Sequence, residues 1–415
     1  MRRTQPIARL RTAAIALMLL AVPAFAQEAQ QADWPQFRGP NRDGKSPDTG
    51  LLKEWPAGGP KLLWKATNIG KGFSSPSIAG GTVYITGDVG DKLMVSAFDM
   101  DGKPKWQIDN GPIFTGQHPG ARSTPTIDGG KLYIIGGTGV VGCYDLKTRR
   151  RLWFKQLTRD LGGRPPTWGY AESVLIHRNL AIVTPGGGGC IAALNKNTGA
   201  TAWRSRGFSA GAQYGSCIAF THQNVPMVVA GTGSGIVGVS ANNGQVLWSN
   251  PHSSGNTANC PTPAYADGYV FWATGYGKGG VCLKLGVSGQ RVTATEAWKT
   301  RDMVCHHGGY IIHDGYVYGN NGGGFACIEL KTGATKWRER AVGKGSLCYA
   351  DGMLYLFGER GGRAALGTCS PDGLRITGQI TVEGQGTSWA HPVVVGGRLY
   401  LRYDTNLYCF DVKAK

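Results

Sequence analysis

Residues 123–153 read STPTIDGGKLYIIGGTGVVGCYDLKTRRRLW, and the order of residue types in this stretch decides the fold. A short strand opened by Ser123 and Pro125 runs into the tight turn Asp128-Gly129. The alternating strand KLYII follows, then a glycine-rich loop, a third strand GCYDL, a polar turn, and a fourth strand ending at Trp153. Two-residue turns of Asp and Gly between alternating apolar runs are what antiparallel hairpins require, because only such residues enter the left-handed region at little cost. No segment of comparable length carries a helical period.

The same design recurs along the chain. Trp64, Trp106, Trp153, Trp203, Trp248, Trp298 and Trp337 are spaced by 39 to 50 residues, a period that indicates one four-stranded unit per copy. Hairpins of this kind begin near Ser75, Ser123, Glu172, Ser216, Pro261, Gly308, Gly345 and His391, which makes eight. The eighth, HPVVVGGRLYLRYDTNLYCFDV (391–412), stops before a fourth strand, while GPKLLWKA (59–66) is a lone fourth strand with its Trp64. The reading predicts an all-β, eight-bladed β-propeller of four-stranded antiparallel blades. The N-terminal strand completes the last blade, and closure hides the edges that an open array would leave unpaired.

The remaining sequence divides accordingly: residues 1–26 as a signal peptide, 27–60 as an N-terminal extension, and 61–415 as the propeller. Arg2, Arg3, Arg9 and Arg11 precede an apolar run from Ala13 to Val22, and Ala24-Phe25-Ala26 offers a cleavage site after Ala26. That run is too short to span a bilayer. The expectation is therefore a periplasmic or secreted protein, with no membrane span, acting as a monomer. Loss of the leader lowers the formal charge from +18 to +14. In an exported protein this basic balance points to anionic small molecules or envelope polymers rather than nucleic acid. Ten cysteines in an oxidising compartment invite disulfides. Cys143, Cys190, Cys282, Cys327 and Cys409 share one repeat position, however, and read as buried thiols. Pairing among Cys217, Cys260, Cys305, Cys348 and Cys369 stays open.

The blade endings ELKTGATKW (329–337) and LNKNTGATAW (194–203), with the opening DWPQFRGPNRDG (33–44) and the stretches TPGGGG, HHGG and LYLR, resemble the pyrroloquinoline quinone-like (PQQ-like) propeller repeat family. That family includes BamB-like and quinoprotein alcohol dehydrogenase-like proteins. The resemblance covers the whole chain after the leader. It implies the propeller fold and either of two functions: a quinoprotein-type oxidoreductase holding PQQ with calcium, or a non-catalytic BamB-like scaffold for envelope protein assembly. The adjacent cysteines whose disulfide stacks on the quinone in the first class are absent here.

Where the chain enters the first strand of each blade, residue identity varies although the flanking strands repeat. In a propeller these entries meet at one end of the central channel, so variety there predicts a site assembled from many blades. Candidate ligand-binding residues at this phase are Trp168, Tyr170, Glu172, Tyr214, Asn256, Asn259, His307, Lys344, Trp389 and His391. His306 is the candidate for proton transfer, and Arg122 and Arg402 for stabilising anionic charge. Of the acidic residues at this end (Asp88, Asp91, Glu172, Glu359 and Asp404), Glu172 is the leading candidate. A metal site using His306 and His391 lacks a third ligand in this reading, so none is assigned. The expected ligand is small, and anionic or planar; the alternative partner is an envelope protein.

Overall fold

The computed structural model describes Met1, residues 33–289 and residues 291–415. The expected leader lies outside the described residues apart from Met1. Eight sheets, each of four strands paired antiparallel with their chain neighbours, follow one another along the sequence. Blades 1 to 7 occupy residues 77–112, 126–156, 175–204, 218–250, 264–300, 310–339 and 345–381. Blade 8 takes its first three strands from residues 393–411 and its fourth from Lys61–Ala66, with Lys61 opposite Asp411 and Ala66 opposite Leu407. The ring is thus closed by the two ends of the chain, as the sequence predicts. One short helix, Leu157–Leu161, interrupts the β pattern between blades 2 and 3.

The recurrent tryptophans are wedges between blades. Trp64, Trp153, Trp203, Trp298 and Trp337 each donate from the indole Nε1 to a carbonyl of the following blade: Met100, Lys196, Ala241, Leu330 and Ser370. The Trp64 bond joins blade 8 to blade 1, so closure uses both a strand and a wedge. The rings of Trp64, Trp153, Trp203 and Trp298 lie against a glycine in the turn between the third and fourth strands of the neighbour: Gly102, Gly199, Gly244 and Gly333. At Gly199 (φ 72°) a Cβ would sit 2.8 Å from the Trp153 ring, so only glycine fits both the turn and the contact.

Blade 7 has no such tryptophan in its fourth strand. Gly378 stands in that register, opposite Leu366, where Trp337 faces Cys327 in blade 6. The missing ring comes from the N-terminal extension. Trp55 packs directly over Gly378, donates its backbone N–H to the Thr377 carbonyl at 3.1 Å, and is 5% exposed. Its ring meets Tyr355 at a centroid distance of 6.3 Å, much as Trp153 meets Tyr133 at 6.2 Å. Trp55 therefore supplies the ring that blade 7 lacks, but not the bond: its indole Nε1 is buried without a partner, where Trp153 Nε1 donates to Lys196.

The extension also crosses the channel at the end where first strands turn into second strands. Trp34 pairs with Ile78 of blade 1, and the Pro35 carbonyl accepts from Ile127 of blade 2. The Arg42 guanidinium donates to the carbonyls of Ser173 (2.7 Å) and Val174 (3.1 Å) beside blade 3. The Arg38 guanidinium donates to the carbonyls of Tyr310 and Asp43, and Ser46 donates its backbone N–H to the Tyr349 carbonyl of blade 7. DWPQFRGPNRDG is a strap across one mouth of the pore.

All ten cysteines are free thiols in this structure. Cys143, Cys282, Cys327 and Cys409 stand opposite the fourth-strand tryptophan of their blades and are buried there as small apolar fillers. In blade 3 that register belongs to Ala193, and Cys190, expected to share it, lies three residues earlier, buried ahead of the strand. Among the described residues no helix is long and apolar enough to cross a membrane.

If Trp55 is the seventh wedge, Trp55→Ala should destabilise the propeller as much as Trp153→Ala, by about 3–5 kcal/mol each. Urea denaturation followed by tryptophan fluorescence measures both. A loss below about 1 kcal/mol for Trp55→Ala would reduce the extension to a surface decoration.

Candidate functional site

At the opposite mouth, the entry segments surround a cavity of about 350 Å³. Every blade contributes to its wall. Blade entries supply Phe73, His118 with Arg122, Trp168, Tyr214, Cys260, His306 with His307, and Trp389 with His391. Blades 5 and 7 add Tyr276, Glu359 and Arg360 from the loops between second and third strands. Phe37 of the strap forms part of the floor, its ring meeting His391 edge-on at 5.1 Å. The pore is therefore a blind pocket, plugged by the extension at one end and open at the other.

One side of the pocket is aromatic. Phe73 and Trp389 lie 4.4 Å apart at an interplanar angle of 33°, and Trp168 and Tyr214 are 5.9 Å apart. Hydrogen bonds fix these rings: the Tyr214 hydroxyl accepts from the Trp168 backbone N–H at 3.1 Å, and Trp168 Nε1 donates to Gln117 at 3.0 Å. Arg122 donates to the carbonyls of Gly120 and His118 and stacks over Phe114 at 4.9 Å. Burial lowers its pKa, partly offset by Asp88.

The other side is built from imidazoles and one carboxylate. Glu359 Oε1 accepts from Lys344 Nζ (3.0 Å) and Trp389 Nε1 (2.9 Å) and stands 3.9 Å from His307 Nδ1. His306 Nε2 and the Tyr276 hydroxyl are 3.2 Å apart, and His391 Nε2 lies 3.1 Å from the His307 carbonyl. His306 Nδ1, His391 Nδ1 and both ring nitrogens of His307 are buried without a partner. Burial, with Lys344 as a smaller cause, pushes His306 down to about 4 and His307 well below the usual imidazole range. His391 falls to about 3, from burial and then Arg38. These rings are neutral at ordinary pH and can accept a proton or a cation.

The sequence candidates thus separate into two groups. His306, His307, Arg122, Trp168, Tyr214, Trp389 and His391 meet in the pocket. Six others do not line it. Arg402 is 1% exposed, and its guanidinium is spent on Ser74 Oγ (2.6 Å) and the carbonyls of Thr86 (2.6 Å) and Gly70 (2.9 Å), riveting blade 8 to blade 1. Its place at the end of LYLR marked it as buried; what is buried is a structural cation. Tyr170 packs on Gly139 and donates to the Pro185 carbonyl at 2.9 Å inside the blade 3 core. Glu172 lies in the entry segment ahead of the strand Leu175–His177; its neighbours Ala171 and Ser173 line the pocket, whereas its own carboxylate is buried on Thr184. Asn259 is fully buried, holding Gln213 at 3.0 Å between blades 5 and 4. Asn256 is exposed on a surface loop. Lys344 acts one step removed, by holding Glu359.

Phe37, Phe73, His118, Tyr276 and Arg360 are among the lining residues outside the sequence candidates. Phe37 lies in the extension, outside every repeat, and no periodic argument reaches it. Tyr276 and Arg360 come from loops after second strands, the phase that faces the same end as the entries. Glu359 was weighed there as an acid but ranked below Glu172. Tyr276 sits at φ 55°, a conformation that costs an aromatic residue on the order of 1 kcal/mol and is held by its surroundings.

The donor chemistry bears on the cofactor expectation. Calcium takes about six to eight oxygen ligands. The pocket wall carries one carboxylate, Glu359, already paired with Lys344 and set among imidazoles. That set does not suit calcium. The aromatic side with Arg122 and Arg360 does suit a planar anion.

Glu172 is itself informative. Its Oε1 accepts from the Thr184 N–H at 2.6 Å, its Oε2 is buried without a partner, and burial raises its pKa to about 7 against the favourable charge of Arg42. The folded protein then binds this proton more tightly than the unfolded chain, so stability falls as pH rises from 4.5 to about 7. Glu172→Gln keeps the acceptor and removes the charge. It should stabilise the protein by up to about 3 kcal/mol above pH 7 and by nothing near pH 4. Urea midpoints at both pH values check this; a gain independent of pH would contradict it.

Comparison with known proteins agrees with the architecture. The family model described as "Outer membrane protein assembly factor BamB" matches residues 94–339, more than half of the chain. No curated protein matches the sequence. Among solved structures, the chain is similar to BamB from Moraxella catarrhalis (TM-score 0.58, 16% identity, covering 80% of this chain and 97% of that one). It is also similar to the quinohemoprotein alcohol dehydrogenase from Comamonas testosteroni (TM-score 0.65, 13% identity, 94% and 82%). A europium-containing methanol dehydrogenase aligns over 89% of both chains (TM-score 0.54, 13% identity). At these identities the likeness is one of fold.

Proposed function

Starting from a chain that belongs to the family described by the outer membrane protein assembly factor BamB, we propose that this propeller is an exported binding protein for a planar, anionic small molecule held in the pocket at the open end of its channel. One observation carries the reading: a pocket lined by all eight blades holds both aromatic rings (Phe73, Trp168, Tyr214 and Trp389) and guanidinium groups (Arg122 and Arg360) in the wall of a blind-ended pore. Flat rings supply stacking surface, and a guanidinium matches a carboxylate in bidentate fashion. A scaffold needs neither, since its partners dock on loops outside.

A carboxylated quinone of the PQQ kind satisfies this description without calcium. If the bound molecule is oxidised or reduced there, His306 is placed to exchange protons with it, because its imidazole lines the pocket and is neutral at ordinary pH. The expected leader places the protein in the envelope, where such a ligand would reach the pocket. A second reading, an assembly scaffold without a small ligand, is favoured by the family description.

Titration of the purified protein with PQQ in the presence of a chelator distinguishes the two. Binding should quench tryptophan fluorescence and raise Tm, and Arg122→Gln should weaken it about tenfold or more by removing a charged hydrogen-bond donor. Absence of any shift in absorbance, fluorescence or Tm would favour the scaffold.

A further inference from the structure

We propose that His306, His307 and Glu359 form a binding site for a divalent transition-metal ion in the wall of the pocket, one that uses two imidazoles and a carboxylate and leaves its remaining positions open to the cavity. Ligand atoms of the three residues lie within 4.8 Å of one another, close enough to converge on a single ion with small side-chain adjustments. The site is distinct from the planar-anion reading and does not depend on it.

The strongest support is His307. It is 8% exposed, neither ring nitrogen has a hydrogen-bond partner, and Nδ1 is turned toward Glu359 at 3.9 Å. A neutral imidazole must carry a proton on one nitrogen and a lone pair on the other. Burying both unsatisfied costs on the order of 1–3 kcal/mol per group, and an ion on one nitrogen would relieve part of that cost. His306 is half-committed in the same way, with Nε2 held at 3.2 Å from the Tyr276 hydroxyl and Nδ1 buried and unpaired.

Adjacent residues of a regular strand face opposite ways, so two consecutive histidines would not share an ion there. His306 and His307 precede the first strand of blade 6, which begins at Tyr310. The backbone is irregular at this point, with Gly309 at φ 68° and Gly308 pressed so close to the Gly345 carbonyl that a Cβ would clash. This irregularity releases the two histidines from strict alternation: His306 Nε2 reaches Tyr276 of blade 5, His307 Nδ1 comes within 3.9 Å of Glu359 of blade 7, and ligand atoms of all three groups stay within 4.8 Å of one another.

Neighbouring donors hold the Glu359 carboxylate in place beside the histidines. Oε1 is occupied by Lys344 Nζ and Trp389 Nε1, and Oε2 makes no hydrogen bond among the described residues. Outer partners of this kind fix the direction of a ligating carboxylate and moderate its charge. Two histidines with one carboxylate are a ligand set for zinc or for first-row ions such as cobalt and iron, and the nitrogen content argues against calcium or magnesium. Three protein ligands leave positions for water or for an anionic oxygen from a molecule in the pocket, next to Lys344.

Cobalt(II) alone, added to chelator-treated, tag-free protein, tests the proposal. Equimolar binding should produce a visible d–d band and raise Tm, and zinc should displace the cobalt and abolish the band. His307→Ala and Glu359→Gln should each weaken cobalt binding at least tenfold, while His313→Ala, at the far end of the propeller, should not. Thermal melting of the metal-free variants shows whether each is folded; if His307→Ala is not, Glu359→Gln and His306→Asn decide. Equal cobalt affinity in folded Glu359→Gln and the parent, or calcium binding in preference to cobalt, would overturn the site. Because no quinone is present, neither result bears on the planar-anion reading.

Discussion

Everything in this molecule depends on the circle being closed. Each blade buries one face against the next, and a missing joint would expose two hydrophobic sheets at once. Closure is made three times over where the first and last strands meet, once within blade 8 and twice between blades 8 and 1. Lys61–Ala66 pairs with the last strand, the Trp64 indole reaches the Met100 carbonyl, and Arg402 spans from blade 8 to the carbonyls of Gly70 and Thr86. A buried guanidinium is tolerated there because its donors find oxygen acceptors; burial still lowers its pKa to about 9. The seam is where the first and last strands of the propeller meet.

That closure creates the site. A ring of repeats brings the same phase of every blade to one small circle, so side chains hundreds of residues apart become neighbours. At the open mouth those positions carry rings, imidazoles and guanidiniums. At the other mouth the strap fills the space with Trp34, Arg38 and Arg42, anchored on blade backbones rather than on side chains. Backbone anchoring lets the strap close the pore whatever residues line it, and Phe37 then gives the pocket an apolar floor.

The fold was legible because it repeats: one copy, 123–153, predicts strand order, turn positions and the tryptophan wedge, and seven further copies confirm the phase. Phase alone also located the mouth, which is why Arg122, Trp168, Tyr214, His306, His307, Trp389 and His391 are found together. It did not resolve which way a side chain points within an entry segment. Tyr170, Glu172 and Asn259 sit one residue from pocket-lining neighbours and turn into the blades, and Arg402 is drawn to backbone carbonyls that no sequence pattern announces. Residues outside the repeat were invisible to this logic altogether. Phe37 and Trp55 act on blades far along the chain, and only three dimensions connect Trp55 to the blade that lacks a tryptophan.

Unsatisfied polar atoms help to separate what the repeat needs from what the pocket holds. Several recur from blade to blade: the hydroxyls of Tyr133, Tyr355 and Tyr400 are all buried without partners, and each ring abuts a wedge tryptophan. A defect repeated at the same phase belongs to the architecture, since the packing gained by the ring at that position outweighs the lost hydrogen bond. The four unpaired nitrogens of His306, His307 and His391 follow no such rule. Single unpaired ring nitrogens also occur at His177, His222 and His252, but those of His306, His307 and His391 lie together on the wall of the pocket where residues from all blades converge. Packing could have been served there by leucine at no polar cost. Unpaired imidazole nitrogens at that spot are the groups that the proposed metal ion or anion would meet.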